Sequence, residues 1–343
     1  MGIYKKINNK KYLIFRISLE KKSGLGHFIR CFKIFQEVKK KYNCIFVVDR
    51  VPKILKNKYN NITFFEIYRN NIFTSQNSDI KKFLTVTKNL KPHILIVDDY
   101  RLNSFWHKKA RIKSLKIIVI DDLSNRYMYC DYYINYKINI EKRYNQIKKI
   151  NKRNTKFILG TNYTIISKDL KRKSISKSKK NIIINFGNSF NFAKIKKNFK
   201  ELLKLNHNIY VCIGVFASNY EFIINLSKKN KNIKILHNKI SIDKITSKMD
   251  LFIGSAGNAI YENSYLRLPS IFFSLTNNQE NEVNDLKILG HQFFLKGNEL
   301  TNYRIIVLIK LVIKNIDKIK RSYQNINKIK KLNIKNLVKE IKL

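Results

Sequence analysis

The run Tyr12-Leu13-Ile14-Phe15-Arg16-Ile17, followed after a short polar stretch by Ser23-Gly24-Leu25-Gly26-His27-Phe28-Ile29-Arg30, decides the fold. The first piece is short, β-prone and apolar on both faces, which suits a strand covered on both sides. The second places two glycines one residue apart in front of an amphipathic stretch, Phe28–Lys41. Strand, glycine turn and helix in that order make the opening of an α/β unit, with the helix N-terminus aimed at whatever sits beyond the strand. The pattern recurs at Phe252-Ile253-Gly254-Ser255-Ala256-Gly257-Asn258-Ala259-Ile260-Tyr261-Glu262.

Outward from these two anchors the same alternation continues. Strands are expected at Cys44–Val48, Ile62–Ile67, Ile94–Val97, Ile117–Ile120 and Tyr132–Ile134, with helices at Asp79–Leu90 and Ser104–Lys113. A second series places strands at Ile182–Phe186, Ile209–Ile213, Ile233–Leu236, Leu251–Ile253 and Ser270–Ser274. Its helices fall at Phe192–Leu205, Asn219–Lys228, Ile242–Lys248, Ala259–Leu266 and Glu280–Leu289, and the tail from Arg304 is helical. Between the series, Lys168–Lys180 is charged, Ser-rich and without apolar period, the composition of a linker. The expectation is therefore two α/β halves, 1–167 and 181–343, joined by 168–180, with the ligand in the cleft between them.

The chain has 343 residues, enough for two domains, and 44% hydrophobic residues, enough to give each a core. Lys and Arg number 70 against 23 Asp and Glu, a net charge of +47. Such an excess raises nucleic acid or an anionic membrane as partners. Lys, Asn and Ile are enriched together, however, as AT-rich codons would produce, and the Arg-rich aromatic interleaving of a nucleic-acid surface is missing. Cys31, Cys44, Cys130 and Cys212 are scattered without CxxC or His spacing, which disfavours zinc and disulfides and fits a reducing cytoplasm. No apolar run reaches membrane-spanning length, so no membrane insertion is expected.

Chemistry concentrates in the loops. Gly24 and Gly26 let backbone amides approach a ligand, and an imidazole at His27, at the helix start, can accept a proton near neutral pH. A tight turn with a capping histidine is the plainer alternative. Around Gly257 and Asn258 the amides could cradle a diphosphate, with Glu262 one turn on accepting hydrogen bonds from a ribose diol. Asn277-Asn278-Gln279 offers carboxamides to sugar hydroxyl or acetamido groups, or simply caps a helix. Asp98-Asp99-Tyr100 and Asp121-Asp122-Leu123 each end a strand; cleft lining and capping suit them better than Mg²⁺. Arg30 either supports a phosphate or packs against a carboxylate. His107, His207, His237 and His291 lack metal spacing and read as structural.

Taken in order, these segments resemble the UDP-2,4-diacetamido-2,4,6-trideoxy-β-L-altropyranose hydrolases of pseudaminic acid biosynthesis. The resemblance runs from Arg16 to Gly290. Its first half rests on Gly24-Leu25-Gly26-His27-Phe28-Ile29-Arg30-Cys31, Ile96-Val97-Asp98-Asp99-Tyr100, Ile118–Arg126, Cys130-Asp131, Ile134-Asn135 and Leu159-Gly160-Thr161-Asn162-Tyr163. Its second half rests on Asn185-Phe186-Gly187, Gly254–Asn258 with Glu262, Leu268-Pro269-Ser270 and Asn278-Gln279. It implies a GT-B-like fold of two Rossmann-like domains facing each other across a cleft. It also implies a cytoplasmic, monomeric hydrolase that takes a UDP-sugar and no metal or cofactor.

By the same resemblance His27 is the base that directs water at the anomeric carbon. Gly257, Asn258 and Glu262 hold UDP, Leu236 lies near the uracil, and Gly24, Gly26, Tyr100, Gly187, Asn278 and Gln279 line the substrate site. A GT-B glycosyltransferase using a UDP-sugar donor is the alternative. Two positions depart from the family pattern. An acidic residue after the first strand is replaced by Ser18, and a double glycine with an acid becomes Gly187-Asn188-Ser189-Phe190-Asn191.

Overall fold

A computed structural model describes residues 11–21, 25–68, 72–111, 116–151, 153–167, 170–171, 179–238, 242–275, 292–322 and 334–343. The chain divides into two compact units. The first comprises Met1–Glu20, Arg30–Tyr163 and Lys335–Leu343; the second comprises Lys21–Ile29 and Thr164–Ile334. Most of the expected linker, and the expected helix Glu280–Leu289, lie outside the described residues.

The first unit holds a parallel sheet of seven strands: β1 (Tyr12–Ile17), β2 (Asn43–Val48), β3 (Thr63–Glu66), β4 (Pro92–Asp98), β5 (Lys116–Ile120), β6 (Tyr132–Asn135) and β7 (Lys156–Leu159). Their spatial order is β3-β2-β1-β4-β5-β6-β7, so the winding reverses between β1 and β4. Ile14, Leu95, Val97, Ile117 and Val119 bury one face of these strands in a single core. Helix α1 (Gly26–Val38) covers the sheet with Phe28, Cys31, Ile34, Phe35 and Val38, all buried at helical spacing. Helices α2 (Lys53–Lys58), α3 (Gln76–Val86), α4 (Ser104–Ala110) and α5 (Tyr144–Ile150) complete the unit. α3 starts three residues before the expected Asp79 because the Ser75 side chain caps it, accepting from the Ser78 amide at 3.2 Å.

The second unit repeats the plan. Its strands are β8 (Asn181–Asn185), β9 (Asn208–Ile213), β10 (Ile233–His237), β11 (Leu251–Ser255), β12 (Ser270–Ser274) and β13 (Gln292–Lys296). They are ordered β10-β9-β8-β11-β12-β13, all neighbours parallel, with the reversal between β8 and β11. Helices α6 (Lys196–Leu203), α7 (Glu221–Lys229), α8 (Asp243–Thr246), α9 (Ala259–Leu266), α10 (Arg304–Lys314) and α11 (Ile316–Ser322) pack around it. The expected helix Phe192–Leu205 divides into a 3₁₀ turn, Phe192–Ile195, and α6, with Asn191 capping the turn through Ala193. A last helix, α12 (Ile334–Glu340), returns the chain to the first unit, where buried Ile341 and Leu343 accept through their carbonyls from Lys116 and Lys41 of that same unit. No helix among the described residues is long and apolar enough to cross a membrane.

His107 of α4 sits in the first core beside Trp106, fully buried. Its Nδ1 accepts from the Tyr129 amide at 3.4 Å, the neutral form's geometry. Burial, and then the charge of Arg126, push its pKa down to about 3. An unfolded chain takes up a proton there near pH 6.5 and the folded chain does not, so stability falls as pH drops from about 6.5 towards 3. Denaturant titrations of wild type and His107→Gln between pH 7 and 4.5 should differ in slope by up to about 1.4 kcal/mol per pH unit, the wild type losing more.

Candidate functional site

At the carboxyl edge of the first sheet the polar residues are locked to one another. Arg16 interrupts the apolar β1 and is fully buried, and its guanidinium meets Asp79, Asp49 and Asp99. Asp79 also accepts from Trp106 Nε1 at 2.8 Å and Tyr68 Oη at 3.0 Å. Ser18 donates to Asp49 Oδ2 at 2.9 Å. A carboxylate at position 18 would face Asp49, so the serine spares the edge one more negative charge.

Arg30 follows β1 on α1, and its guanidinium forks onto both oxygens of Asp98 at the end of β4. The same group reaches Asp122 Oδ2 at 2.5 Å and Tyr136 Oη at 3.2 Å. Of the two readings of Arg30, the carboxylate partner is the one present. Arg126 bonds Asp121 and the Tyr100 carbonyl, and Arg101 bonds Asp99 and Asp49. These aspartates are therefore occupied by arginines. Among the described residues no group of three or more His, Cys, Asp and Glu gathers as a metal site.

In the second unit the reversal between β8 and β11 brings two loops together. Asn185 ends β8 and its Oδ1 accepts from Gly187 N at 3.0 Å, closing a tight turn in which Gly187 has φ +84°. A Cβ on Gly187 would lie 3.8 Å from Ser255 Oγ at the end of β11, so the two loops are neighbours. The loop from Gly187 to Asn191 is held from behind: Phe216 N donates to Asn188 O and Ser218 N to Phe190 O. Ser189 Oγ donates to the Lys21 carbonyl at 2.9 Å, within the same unit. β11 and β8 run so close that a Cβ on Gly254 would fall 1.8 Å from the Asn185 carbonyl oxygen.

Gly257 follows β11, exposed, with nothing within 4 Å of where its Cβ would stand. Asn258 leads into α9, and the Glu262 amide donates to the Asn258 carbonyl at 3.3 Å, putting both residues on one turn. Glu262 and Asn258 are half-buried. Leu236 sits near the end of β10, the edge strand, two strands from Gly187 on the same carboxyl side, while His237 next to it packs edge-on against Tyr220. In the first unit Tyr100 follows β4, with its hydroxyl on Asp122 at 2.7 Å.

Gly26 and His27 open α1; Gly26 is exposed, whereas His27 retains 6% exposure. Gly24, Asn278 and Gln279 lie outside the described residues. Sequence reasoning passed over Ser255, the neighbour of Gly187, and gave Asp122 only a lining role. Both stand at strand ends, the one signal that marks them.

Comparison with known proteins follows this geometry. No family model matches the chain. It is 28% identical over 264 residues to "Uncharacterized protein MJ1062" of Methanocaldococcus jannaschii, covering 72% of this chain and 52% of that protein. The chain thus spans about half the length of the curated relative it matches. Among solved structures, MurG of Acinetobacter baumannii superposes with TM-score 0.63 at 13% identity, over 96% of this chain and 99% of that one. UDP-GlcNAc 2-epimerase of Neisseria meningitidis, bound to UDP-GlcNAc, gives TM-score 0.58 at 14% identity, over 96% and 98%. Others above TM-score 0.5 include a UDP-N-acetylglucosamine 2-epimerase and several glycosyltransferases.

The fold is GT-B. It comprises two Rossmann-like parallel sheets, each reversing its winding once, and matches MurG and a UDP-GlcNAc 2-epimerase in fold. Two glycines of the second edge differ in what surrounds them. Gly254→Ala should cost about 3 kcal/mol or more, since the clash is with backbone, read as a lowered denaturation midpoint. Gly257→Ala, with nothing near its Cβ, should leave the unfolding free energy within about 0.5 kcal/mol of wild type.

Proposed function

We propose that the chain processes a UDP-linked sugar, holding the nucleotide at the carboxyl edge of the second sheet and acting at the anomeric carbon. One observation carries the reading. The loop at Gly187 neighbours Ser255 at the end of β11, the strand that leads through Gly257-Asn258 into α9, at the reversal between β8 and β11, where open parallel sheets take their ligands. There the amides of α9 meet the diphosphate and stabilise the charge that grows as UDP leaves. Glu262, on the turn with Asn258, accepts the ribose hydroxyls, and Leu236 flanks the uracil. The chain's net charge of +47 draws a dianionic ligand towards it.

Likeness in fold to glycosyltransferases and to a UDP-GlcNAc 2-epimerase supports chemistry on a UDP-sugar, and favours transfer to an acceptor over hydrolysis. Hydrolysis of a UDP-linked 2,4-diacetamido-trideoxy-hexose is the second reading, favoured by the ordered motifs from Gly24 to Asn278. In either case His27 serves as the base, taking a proton from the attacking hydroxyl or water, and is worth about 10²–10⁴-fold in rate. At 6% exposure its ring meets the ligand only after the groups covering it move aside. Asn278 and Gln279 complete the sugar site in this reading, and no cofactor or metal enters it.

The test is UDP release from a panel of UDP-sugars, with and without sugar or lipid acceptors. Transfer predicts release that requires acceptor; hydrolysis predicts release in buffer alone; epimerisation predicts a changed sugar with no net release. His27→Ala should lower turnover at least about 10²-fold while UDP still binds. Turnover at the wild-type rate in that variant contradicts the base assignment.

A further inference from the structure

Helix α10 reads Arg304-Ile305-Ile306-Val307-Leu308-Ile309-Lys310-Leu311-Val312-Ile313-Lys314. Ile305, Ile306, Ile309 and Val312 are buried in the core of the second unit. On the opposite face a surface helix ordinarily turns polar side chains to water. Here Tyr303, Val307 and Leu311, four residues apart and so stacked along one side of the helix, are 62%, 51% and 54% exposed. Seven large apolar side chains are exposed among the described residues, and three of them make this one stripe. Apolar residues scattered singly over a surface need no explanation, whereas a contiguous row marks a place where something docks.

The charges around the stripe have one sign. Arg304, Lys310 and Lys314 are exposed, and the helical repeat puts them on the side of the stripe. α10 contains no acidic residue, and none of its three cations is in an ion pair among the described residues. α6 packs beside it, tied to the preceding turn by Asn198, whose Nδ2 donates to the Leu300 carbonyl at 2.6 Å. That helix adds exposed Lys197 and Lys200.

We propose that this face of the second unit docks on an anionic lipid bilayer, with Tyr303, Val307 and Leu311 entering the headgroup layer and the cations of α10 meeting lipid phosphates. Eleven residues make α10 about 16 Å long, so it lies along the surface and does not cross. Lysine stems run beside the apolar side chains while their ammonium groups stay at the headgroups, and the tyrosine hydroxyl stays in the wet layer.

Other occupants use only half of the face. A second copy seated on it by a two-fold axis would bring the same cations together, on a chain of net charge +47. A nucleic acid takes the cations but has no use for Val307 and Leu311, which neither stack on bases nor bond phosphates. A bilayer of anionic lipid uses both. The proposal does not rest on the UDP-sugar reading, and its test needs no turnover.

The full chain is sedimented with vesicles of phosphatidylcholine alone, and of phosphatidylcholine and phosphatidylglycerol in equal parts. Wild type should bind the second and not the first. Because the chain's overall charge alone draws it to anionic vesicles, three triple variants separate the face from the bulk. Tyr303→Ser, Val307→Ser and Leu311→Ser together remove no charge and should weaken binding at least about tenfold. Arg304→Gln, Lys310→Gln and Lys314→Gln together should weaken it about fivefold per cation. Lys228→Gln, Lys229→Gln and Lys231→Gln, at the end of α7 and just beyond, should bind within about twofold of wild type.

All these side chains are exposed, so each variant should keep the wild-type denaturation midpoint. A single substitution gives a direct readout. Trp106 is fully buried, so in Tyr303→Trp the new indole should shift to the blue on anionic vesicles and be quenched by brominated acyl chains. No binding by wild type, equal binding by the serine variant, or an indole that brominated lipid does not quench overturns the proposal. So does self-association that the serine variant abolishes, or binding of single-stranded RNA that the glutamine variant abolishes, where the vesicles capture nothing.

Discussion

Two buried guanidiniums organise the first unit. Arg16 inside β1 and Arg30 on the helix that follows it draw together carboxylates from β2, α3, β4 and β5, and neither arginine has appreciable exposure. A charge without water is costly, and it is tolerable here because each is met by opposite charges with hydrogen-bond geometry. The arrangement constrains the strands it touches: removing one partner leaves a buried charge unopposed. The residues that close the carboxyl edge of this sheet are thus fixed by electrostatics, in a place where loops are ordinarily free to vary.

The second unit reaches the same topology by other means. Its edge is shaped by backbone proximity, with glycines at 187, 214 and 254 where a side chain would strain the turn or strike a neighbouring strand or loop. Asn185 and Asn191 organise the loop with side-chain acceptors. An edge built of amides and glycines presents donors at short range, whereas an edge built of paired aspartates and arginines presents shape and a few directed groups.

Much of this was legible from residue order. The bounds of β1, β12 and α9 fall where apolar runs and their flanking Gly, Asn and Pro residues place them. β7, four residues long, and β13 were not foreseen, because short strands at the far end of a sheet carry too little periodic signal. Nor was α2, which buries only Leu55. The paired aspartates at residues 98–99 and 121–122 were visible as a pattern. Their arginine partners were not, because Arg30, Asp98 and Asp122 meet only once the order β1-β4-β5 is known. The exposure of His27 is a tertiary property of the same kind.

The account stands on the nucleotide lying at the reversal of the second sheet. A crystal structure of the protein soaked with UDP tests it most directly. The diphosphate oxygens should be found within hydrogen-bonding distance of backbone amides around residues 187 and 257–258, with the ribose hydroxyls on Glu262. UDP bound at any other place on the chain, with those amides left to solvent, would contradict it.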